Sequence, residues 1–171
     1  MANEQWDMLV FEHGAIAVVA RDKRVSRVCF ECTPEDAAAA VARHYPEARK
    51  TTQPCIKQAL EQLAEYFRGK RREFDVPLEN GALSDFARKV QQALSEVPFG
   101  AVVTYGELAA RVGSPGAARA VGRVMSSNPF PLLVPCHRVV NADGSLGQYS
   151  AARGADSKAW LIDFEHELAG E

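Results

Sequence analysis

The sequence lacks the features that mark several large classes of protein. No apolar run approaches the length of a membrane-spanning helix, and the first residues show no basic segment followed by an apolar one. Four cysteines in 171 residues are too few for a disulfide scaffold. These absences argue against a membrane span, a signal peptide and a disulfide framework, and they favour a cytoplasmic protein.

Positive charge is not in excess either, because 20 Lys and Arg stand against 22 Asp and Glu, for a formal net charge of −2. A balanced charge lowers the odds of a nucleic-acid partner but leaves room for a local basic patch. Hydrophobic residues make up 47% and charged residues 25% of the chain. This composition is typical of a globular protein with one domain or two small ones.

The N-terminal half has the pattern of a small scaffold domain. Apolar runs at residues 8–11, 15–20 and 25–30 are separated by turn signals, which predicts an antiparallel meander. Helices are expected from Thr33 to about Tyr45 and around residues 56–67, followed by a short strand at residues 74–76. The pattern changes near residues 78–81. We therefore predict an N-terminal α/β scaffold domain at residues 1–79 and a C-terminal domain at residues 80–171.

Cys29 and Cys32 have the C-x-x-C spacing of redox pairs and zinc sites. A redox pair normally opens a helix, whereas Cys29 ends a strand-like run. A zinc site needs two more ligands, and only three scattered candidates are present: His13, His44 and Cys55. We interpret the spacing as incidental, and we expect no metal site and no cofactor.

Two short helices with a tight glycine turn are predicted near the middle of the C-terminal half. Thr104 and Glu107 form a capping-box pattern, Gly113 ends that helix, and Ser114 is expected to start the next one. This is the helix-turn-helix pattern. Residues 105–125 contain three arginines and a single glutamate, and the second helix has mostly small side chains. Such a helix can lie against a phosphate-lined groove, or it can simply pack closely on a neighbouring helix.

The most distinctive stretch for chemistry is the pair Cys136-His137, which lies between apolar residues that predict burial. A thiol becomes a nucleophile once its proton is removed, and His137 is the candidate base. The alternative is a small buried cysteine beside a surface histidine. A final helix is expected at residues 158–168, where Glu165 would fix the tautomer of the histidine. Three other carboxylates compete for that role: Asp143, Asp163 and Glu167.

The C-terminal part, from Phe86 to about Glu165, resembles the O6-alkylguanine-DNA alkyltransferases. Four motifs in the same order carry the resemblance: Tyr105-Gly106-Glu107-Leu108-Ala109, Arg119-Ala120-Val121-Gly122, Asn128-Pro129-x-Pro131 and Pro135-Cys136-His137-Arg138-Val139. The N-terminal half is similar more weakly, through Tyr66-Phe67-x-Gly69 and Phe74-x-x-Pro77-Leu78. The resemblance implies an α/β (α+β) protein with a small N-terminal ribonuclease-H-like α/β domain and a mainly helical C-terminal domain containing the helix-turn-helix.

The resemblance also implies a DNA repair enzyme that acts once per molecule. It would transfer an alkyl group from O6-alkylguanine, or from O4-alkylthymine, in DNA to its own Cys136. The partner would be double-stranded DNA, approached from the minor groove, with the damaged base flipped into the site. No cofactor is implied, and a monomer is expected.

Individual roles follow from the same resemblance. Cys136 would be the acceptor thiolate, His137 would activate it through a bridging water, and Glu165 would orient the histidine. Tyr105 would hydrogen-bond the guanine ring nitrogen, and Asn128 would brace the turn before the cysteine. Substrate-binding roles fall to Met125, Val139, Tyr149 and Ser150. The expected DNA-binding residues are Thr104, Ser114, Ala118, Arg119, Ala120, Gly122 and Arg123, with Arg119 entering the stack in place of the extruded base.

One departure from the family pattern concerns the pocket. The family usually has a glycine pair where this chain has Ala151 and Ala152, and we expect alanines to narrow the pocket for bulky adducts. The segment at residues 149–158 is also longer than the family pattern. Two other functions remain open: a DNA-binding regulator without catalysis, and a Cys-His-Glu hydrolase whose thiol is regenerated by water.

Overall fold

The computed structural model describes residues 3–170, which fall into two compact units divided between Asn80 and Gly81. The N-terminal unit contains β1 (Gln5–Phe11), β2 (Gly14–Arg21), β3 (Arg24–Glu31), α1 (Pro34–His44), β4 (Arg49–Lys50) and α2 (Pro54–Phe67). The C-terminal unit contains α3 (Asp85–Ser95), β5 (Val103–Thr104), α4 (Tyr105–Arg111), α5 (Ala118–Ser126), a 3₁₀ turn (Cys136–Arg138), β6 (Val139–Val140) and α6 (Ala155–Ala169). Within residues 3–170, no helix is both long enough and apolar enough to cross a membrane.

The N-terminal unit is built on a four-stranded sheet in the order β3-β2-β1-β4. The first three strands form the predicted antiparallel meander, and β4 pairs parallel to β1. The turn between β2 and β3 places Asp22 and Lys23 at φ values of 49° and 66°. Two successive positive φ values are typical of a tight hairpin turn whose twist matches the flanking strands.

The strand predicted at residues 74–76 is wrong. The backbone N–H of Asp75 donates to the side chain of Gln62 at 3.1 Å instead of joining a strand ladder. Pro77 lacks an N–H group, so this segment has little capacity for ladder hydrogen bonds. In this segment, pairing with the sheet is limited to an isolated bridge between Leu78 and Val25.

The two helices of the N-terminal unit cover opposite faces of β2, which is buried along almost its whole length. On the α1 face, Cys29 packs in a core of small side chains with Ala15, Ala17 and Ala37. On the α2 face, Phe11 stacks on Phe67 with ring centres 4.2 Å apart. Each face is therefore closed by one helix.

This packing explains the chemistry of the C-x-x-C pair. Burial raises the pKa of the Cys29 thiol to about 11. A reactive redox cysteine needs a lowered pKa, so the structure supports the incidental interpretation. Among residues 3–170, no group of three or more His, Cys, Asp and Glu side chains is placed to hold a metal ion.

The helix-turn-helix is formed by α4 and α5, which pack against each other. Thr104 accepts from the backbone N–H of Glu107 at 3.1 Å, and the Glu107 carboxylate accepts from the backbone N–H of Thr104 at 2.8 Å. This is the predicted capping box. The expected start of α5 at Ser114 is wrong, because residues 114–117 form a turn in which the N–H of Ala117 donates to the Ser114 carbonyl at 2.9 Å. Gly116 lies in that turn, and α5 begins only at Ala118.

A short parallel pair of strands brings the site together. Val103 of β5 lies opposite Val139 of β6. Tyr105 follows β5 directly and Asn141 follows β6 directly, so the parallel pairing places these two residues side by side, and both line one cavity with Cys136. Helix α6 packs on the 3₁₀ turn that contains Cys136. Residues far apart in the chain therefore meet around Cys136.

Candidate active site

Cys136 is held in a 3₁₀ turn whose backbone is fixed on both sides. The N–H of Cys136 donates to the Val134 carbonyl at 2.8 Å, and the N–H of Val139 donates to the Cys136 carbonyl. Asn128 ties this turn to the end of α5, since its side-chain amide donates to the Val134 carbonyl at 3.1 Å and its side-chain oxygen accepts from the Phe130 N–H at 3.0 Å. These contacts agree with the bracing role expected for Asn128.

His137 and Glu165 form a buried hydrogen-bonded pair. His137 Nε2 lies 2.7 Å from Glu165 Oε1, and both side chains are 1% exposed. An ionised carboxylate can only accept, so Nε2 carries the hydrogen and Nδ1 holds the lone pair. Nδ1 is also buried, and no described residue gives it a hydrogen bond. The pair therefore presents an imidazole that can accept one proton at Nδ1.

Three further hydrogen bonds converge on Glu165. Arg138 donates from Nε to Oε2 at 2.8 Å and from Nη2 to Oε1 at 2.9 Å, and the backbone N–H of Gly100 donates to Oε2 at 3.3 Å. Burial alone would raise the pKa of Glu165, but the hydrogen bonds from His137 and Arg138 and the charge of Arg138 outweigh burial and hold the pKa well below its usual value. Glu165 is therefore a carboxylate at any physiological pH.

The thiol itself is not ionised by its surroundings. Burial raises the pKa of Cys136, and the hydrogen bond from Asn128 and the positive charge of Lys158 oppose this shift without cancelling it. Burial likewise lowers the pKa of His137, which keeps the imidazole neutral near pH 7. A neutral base beside a protonated thiol is the arrangement required for proton removal during nucleophilic attack.

Lys158 is fully buried behind the cavity. Its ammonium group donates to the Leu146 carbonyl and, at 3.5 Å, to the Gln148 carbonyl, and it lies 5.7 Å from the centre of the Tyr105 ring. These contacts join α6 to the loop that follows β6. Burial lowers the pKa of Lys158, and the negative charge of the Cys136 thiolate acts in the opposite direction.

A cavity of about 840 Å³ opens in front of Cys136. Nine of the residues predicted for the site line this cavity, and they lie on α4, on α5, in the 3₁₀ turn and in the loop that follows β6. They are Tyr105, Ala118, Arg119, Gly122, Arg123, Met125, Cys136, Tyr149 and Ser150. Arg119 and Arg123 are exposed on α5 one turn apart. The rim of the cavity therefore carries two positive charges above a buried thiol.

The other predicted residues lie outside this lining. His137 and Glu165 are buried behind the cysteine, Asn128 braces its turn, and Val139 is fully buried in β6. The remaining three are spread along the helix-turn-helix: Thr104 caps α4, Ser114 lies in the turn, and Ala120 lies on α5.

Sequence reasoning assigned no individual role to several residues of the site. Five of them line the cavity: Ser126, Asn141, Gly147, Gln148 and Ala155. Gly147 has φ +70°, and a Cβ there would lie 3.1 Å from the Tyr105 hydroxyl. The sequence offered one sign of the role of Gly147, namely a glycine within the loop that follows Cys136. Arg138 and Lys158 are both buried charges, but a side chain's burial and partner are not visible from spacing alone.

Ala151 and Ala152 are not among the lining residues, which include Ser150 and Ala155 on either side of them. The expectation that these alanines narrow the pocket is therefore not supported. Ala152 adopts φ +47°, a left-handed backbone conformation that favours glycine.

Comparison with known protein families gives the same assignment for both halves of the chain. Residues 6–80 match the family model described as the ribonuclease-like domain of 6-O-methylguanine DNA methyltransferase, and residues 85–167 match the model of its DNA binding domain. The chain belongs to the 6-O-methylguanine DNA methyltransferase family. The matches confirm the predicted family, its class of enzyme and the ribonuclease-like assignment of the N-terminal unit.

Relatives of this methyltransferase family cover different shares of the chain. A methylated-DNA–protein-cysteine methyltransferase of Methanosarcina acetivorans is 40% identical over 120 residues, which are 70% of this chain and 75% of that protein. One from Mycolicibacterium paratuberculosis is 46% identical over 107 residues, which are 63% of each chain. The chain thus aligns with less than two thirds of the second protein's length.

A crystal structure of Mycobacterium tuberculosis OGT in complex with DNA superposes on this chain with a TM-score of 0.79. The two are 31% identical, and the match covers 96% of this chain and 94% of the other. Because the match spans both units, it confirms the predicted mixed α and β fold class.

Proposed function

We propose that this protein removes an alkyl group from O6 of guanine in DNA by transferring it to Cys136, once per molecule. The observation that carries the proposal is a buried thiol at a cavity of about 840 Å³, with a hydrogen-bonded His137 and Glu165 pair behind it. The DNA complex of the Mycobacterium tuberculosis homologue supports the choice of DNA as partner. O4-alkylthymine, which carries its alkyl group on an equivalent ring oxygen, is the second substrate that we propose.

The proposed reaction balances with the groups present. His137 Nδ1 takes the proton of the Cys136 thiol through a bridging water, while Glu165 stabilises the imidazolium that forms. The sulfur attacks the alkyl carbon, a C–S bond forms, and the bond from that carbon to O6 breaks. The electron pair of the broken bond remains with the guanine, which takes up one proton from water, and the imidazolium returns the thiol proton to water.

Tyr105 supports the leaving group in this scheme. Burial and the negative charge of the Cys136 thiolate raise the pKa of Tyr105, so its hydroxyl stays protonated and able to donate. A hydrogen bond from this hydroxyl to the guanine ring nitrogen would stabilise the negative charge that develops on the base. The thioether product contains no bond that the site can hydrolyse, so each molecule acts once.

The base must leave the duplex to reach a buried thiol. Ala118 and Gly122 line the cavity on α5, and their small size allows close approach of the minor groove. Arg119 is exposed at the same rim and would fill the space of the extruded base. Because one chain supplies all the residues that line the cavity, we propose a monomer as the acting unit.

The pocket for the base would be formed by side chain and backbone together. Met125 is 6% exposed on α5 and lines the cavity opposite the loop that contains Tyr149 and Ser150. We propose that Met125 packs on the base, that the Ser150 N–H donates to O6, and that the Cys136 and Val139 carbonyls accept from the exocyclic amine.

The mass of the intact protein after incubation with excess O6-methylguanine duplex tests the proposal. We expect a gain of about 14 Da, the mass of one CH₂, that stops at one equivalent and maps to Cys136. Cys136→Ser should show no gain yet still bind the duplex. Cys32→Ser is the matched control, since Cys32 lies in the other unit, and it should gain the methyl group like the wild type.

Two other results would each replace the proposal. Bound duplex with an intact lesion and no gain in mass would identify a non-catalytic regulator. Loss of the methyl group from DNA without a gain in protein mass would identify a hydrolase that turns over.

A further inference from the structure

We infer that Arg138 is a positioning residue for alkyl transfer, which orients Glu165 toward His137 and offsets its charge so that His137 remains a neutral base. Its place in catalysis rests on the proposed function. The geometry and the charge balance that it invokes can be measured without any transfer reaction.

The geometry of Arg138 is that of a fork. Nε and Nη2 donate to the two different oxygens of Glu165, at 2.8 Å and 2.9 Å, which fixes the plane of the carboxylate. The same plane directs Oε1 at His137 Nε2, 2.7 Å away. The two side chains that hold Glu165 are therefore neighbours in one 3₁₀ turn.

Arg138 is itself anchored from a third direction. Nη1 donates to the Val97 carbonyl at 2.8 Å, just beyond the end of α3, and the guanidinium lies 5.8 Å from the centre of the Phe99 ring. The side chain is 7% exposed. Each guanidinium nitrogen donates a hydrogen bond, so the buried side chain is held in one orientation and can hold Glu165 in place.

The charge on His137 depends on the ionisable groups that are packed around it. Its own turn contributes Cys136 and Arg138, and α6 contributes Glu165 and Lys158. Tyr105 and Tyr149 remain protonated, because burial raises the pKa of both hydroxyls. Glu165 is thus the fixed anion next to the imidazole, and Arg138 is the cation in direct contact with Glu165.

Without that cation, the full negative charge of Glu165 would face His137. A neighbouring anion stabilises the imidazolium and raises the pKa of a histidine. A histidine that is already protonated cannot take the proton of Cys136. Because Arg138 offsets the charge of Glu165, the carboxylate can orient the imidazole while the imidazole stays unprotonated before the reaction.

The first test is an NMR titration of the histidine rings in the full-length chain, with His137 assigned by its absence in His137→Gln. In Arg138→Met, we expect the pKa of His137 to rise by about one pH unit or more, since the opposing cation is lost. In Arg138→Lys, a positive charge remains and the pKa should stay near the wild-type value. Arg88→Met is the matched control, because Arg88 pairs with Asp85 on the surface of α3 in the same unit.

The second test is the rate of methyl transfer to Cys136 from pH 5 to 9. Arg138→Met should shift the acidic limb of the profile to higher pH, together with the pKa of His137. At a pH below the new pKa, the rate should therefore fall about tenfold. Arg138→Lys should slow transfer without moving the limb, because an ammonium cannot make the two-oxygen fork. A purely structural arginine would lower the active fraction and leave the limb in place.

An unchanged pKa of His137 in Arg138→Met would overturn the inference. If that variant does not fold, Arg138→Gln supplies the same measurement, since its amide keeps a donor for Glu165 but lacks the charge. Failure of the proposed function would appear differently. The pKa of His137 would still respond to Arg138, while the wild type would transfer no methyl group.

Discussion

At the scale of single residues, Glu165 explains why one carboxylate and not another belongs to the site. It accepts hydrogen bonds from His137, Arg138 and the Gly100 backbone, and it is 1% exposed. Asp143, one of the alternatives, accepts instead from the hydroxyl and backbone of Ser145 in an exposed turn. Spacing could not separate these candidates, because each lies at a plausible distance along the chain.

Ala152 provides a prediction at the same scale. Its φ of +47° lies in the left-handed region, which costs an L-residue about 1–2 kcal/mol, whereas glycine loses about 0.5–1 kcal/mol through its flexibility. Ala152→Gly should therefore stabilise the protein by about 0.5–1 kcal/mol in urea unfolding. Ala151→Gly is the control, since Ala151 is buried without a positive φ, and it should destabilise instead. Equal effects at both positions would refute the strain argument.

At the scale of secondary-structure elements, α6 supplies two buried charges to the site. Lys158 and Glu165 are seven residues apart, which is close to two helical turns and places both on one face. The sequence predicted a helix at residues 158–168, and the helix in fact begins at Ala155. The earlier start puts Lys158 inside the helix rather than at its end, so its side chain is held firmly beneath the loop at residues 146–150.

Lys158 should stabilise that loop. In Lys158→Met, the Leu146 and Gln148 carbonyls lose their donor, and a hydrogen bond from a charged group contributes about 1.5–3 kcal/mol. We expect faster hydrogen exchange at residues 146–150, measured by mass spectrometry, with exchange in α4 unchanged. Lys57→Met serves as the control, because Lys57 forms an exposed pair with Glu61 on α2. Unchanged exchange in the loop of Lys158→Met would show that Lys158 does not hold it.

At the scale of the whole molecule, the chemistry is confined to one of the two units. Every residue that contacts Cys136, His137 or Glu165 in the geometry above lies between Val97 and Glu165, in the C-terminal unit. The N-terminal unit closes its own core on both faces of its sheet. Its buried Cys29 and its aromatic packing agree with a scaffold, a role that stays a prediction.

The stability of the C-terminal unit should depend on pH through His137. Burial lowers the pKa of His137 in the folded state below the 6.5 of a free histidine. The neutral ring therefore stabilises the fold above pH 6.5, and this stability is lost as the pH falls below that value. Glu165 contributes stability that is lost only below pH 4.5, because its folded pKa is lowered. Within the C-terminal unit, the window between pH 6.5 and 5 thus isolates His137, whereas His44, whose pKa is also lowered by burial, lies in the N-terminal unit.

Urea unfolding followed by Trp160 fluorescence in a Trp6→Phe background measures this effect, since the chain has two tryptophans. We expect the free energy of unfolding to fall by about 1 kcal/mol between pH 7 and 5.5. His137→Gln should show no such slope. An equal slope in both proteins would assign the loss to another group.

The sequence by itself determined much of the local structure and singled out the candidate reactive pair. Turn signals predicted the meander, the Thr104 and Glu107 capping box was visible as a pattern, and Cys136-His137 pointed to an activated thiol. Each depends on neighbours within a few residues, so propensity and spacing suffice. The failed strand at residues 74–76 and the late start of α5 are local too, but there the Gln62 side chain and the turn at Gly116 decided the outcome.

Only the tertiary structure decided which groups surround the candidate reactive pair. Glu165, Arg138, Lys158 and Gly147 act through burial and through contacts between elements far apart in the chain. Hydrogen-bond partners and pKa shifts depend on which charges share a buried volume, and no periodicity in the sequence reports that. The packing of α6 on the 3₁₀ turn, together with the pairing of β5 with β6, brings these groups to one thiol.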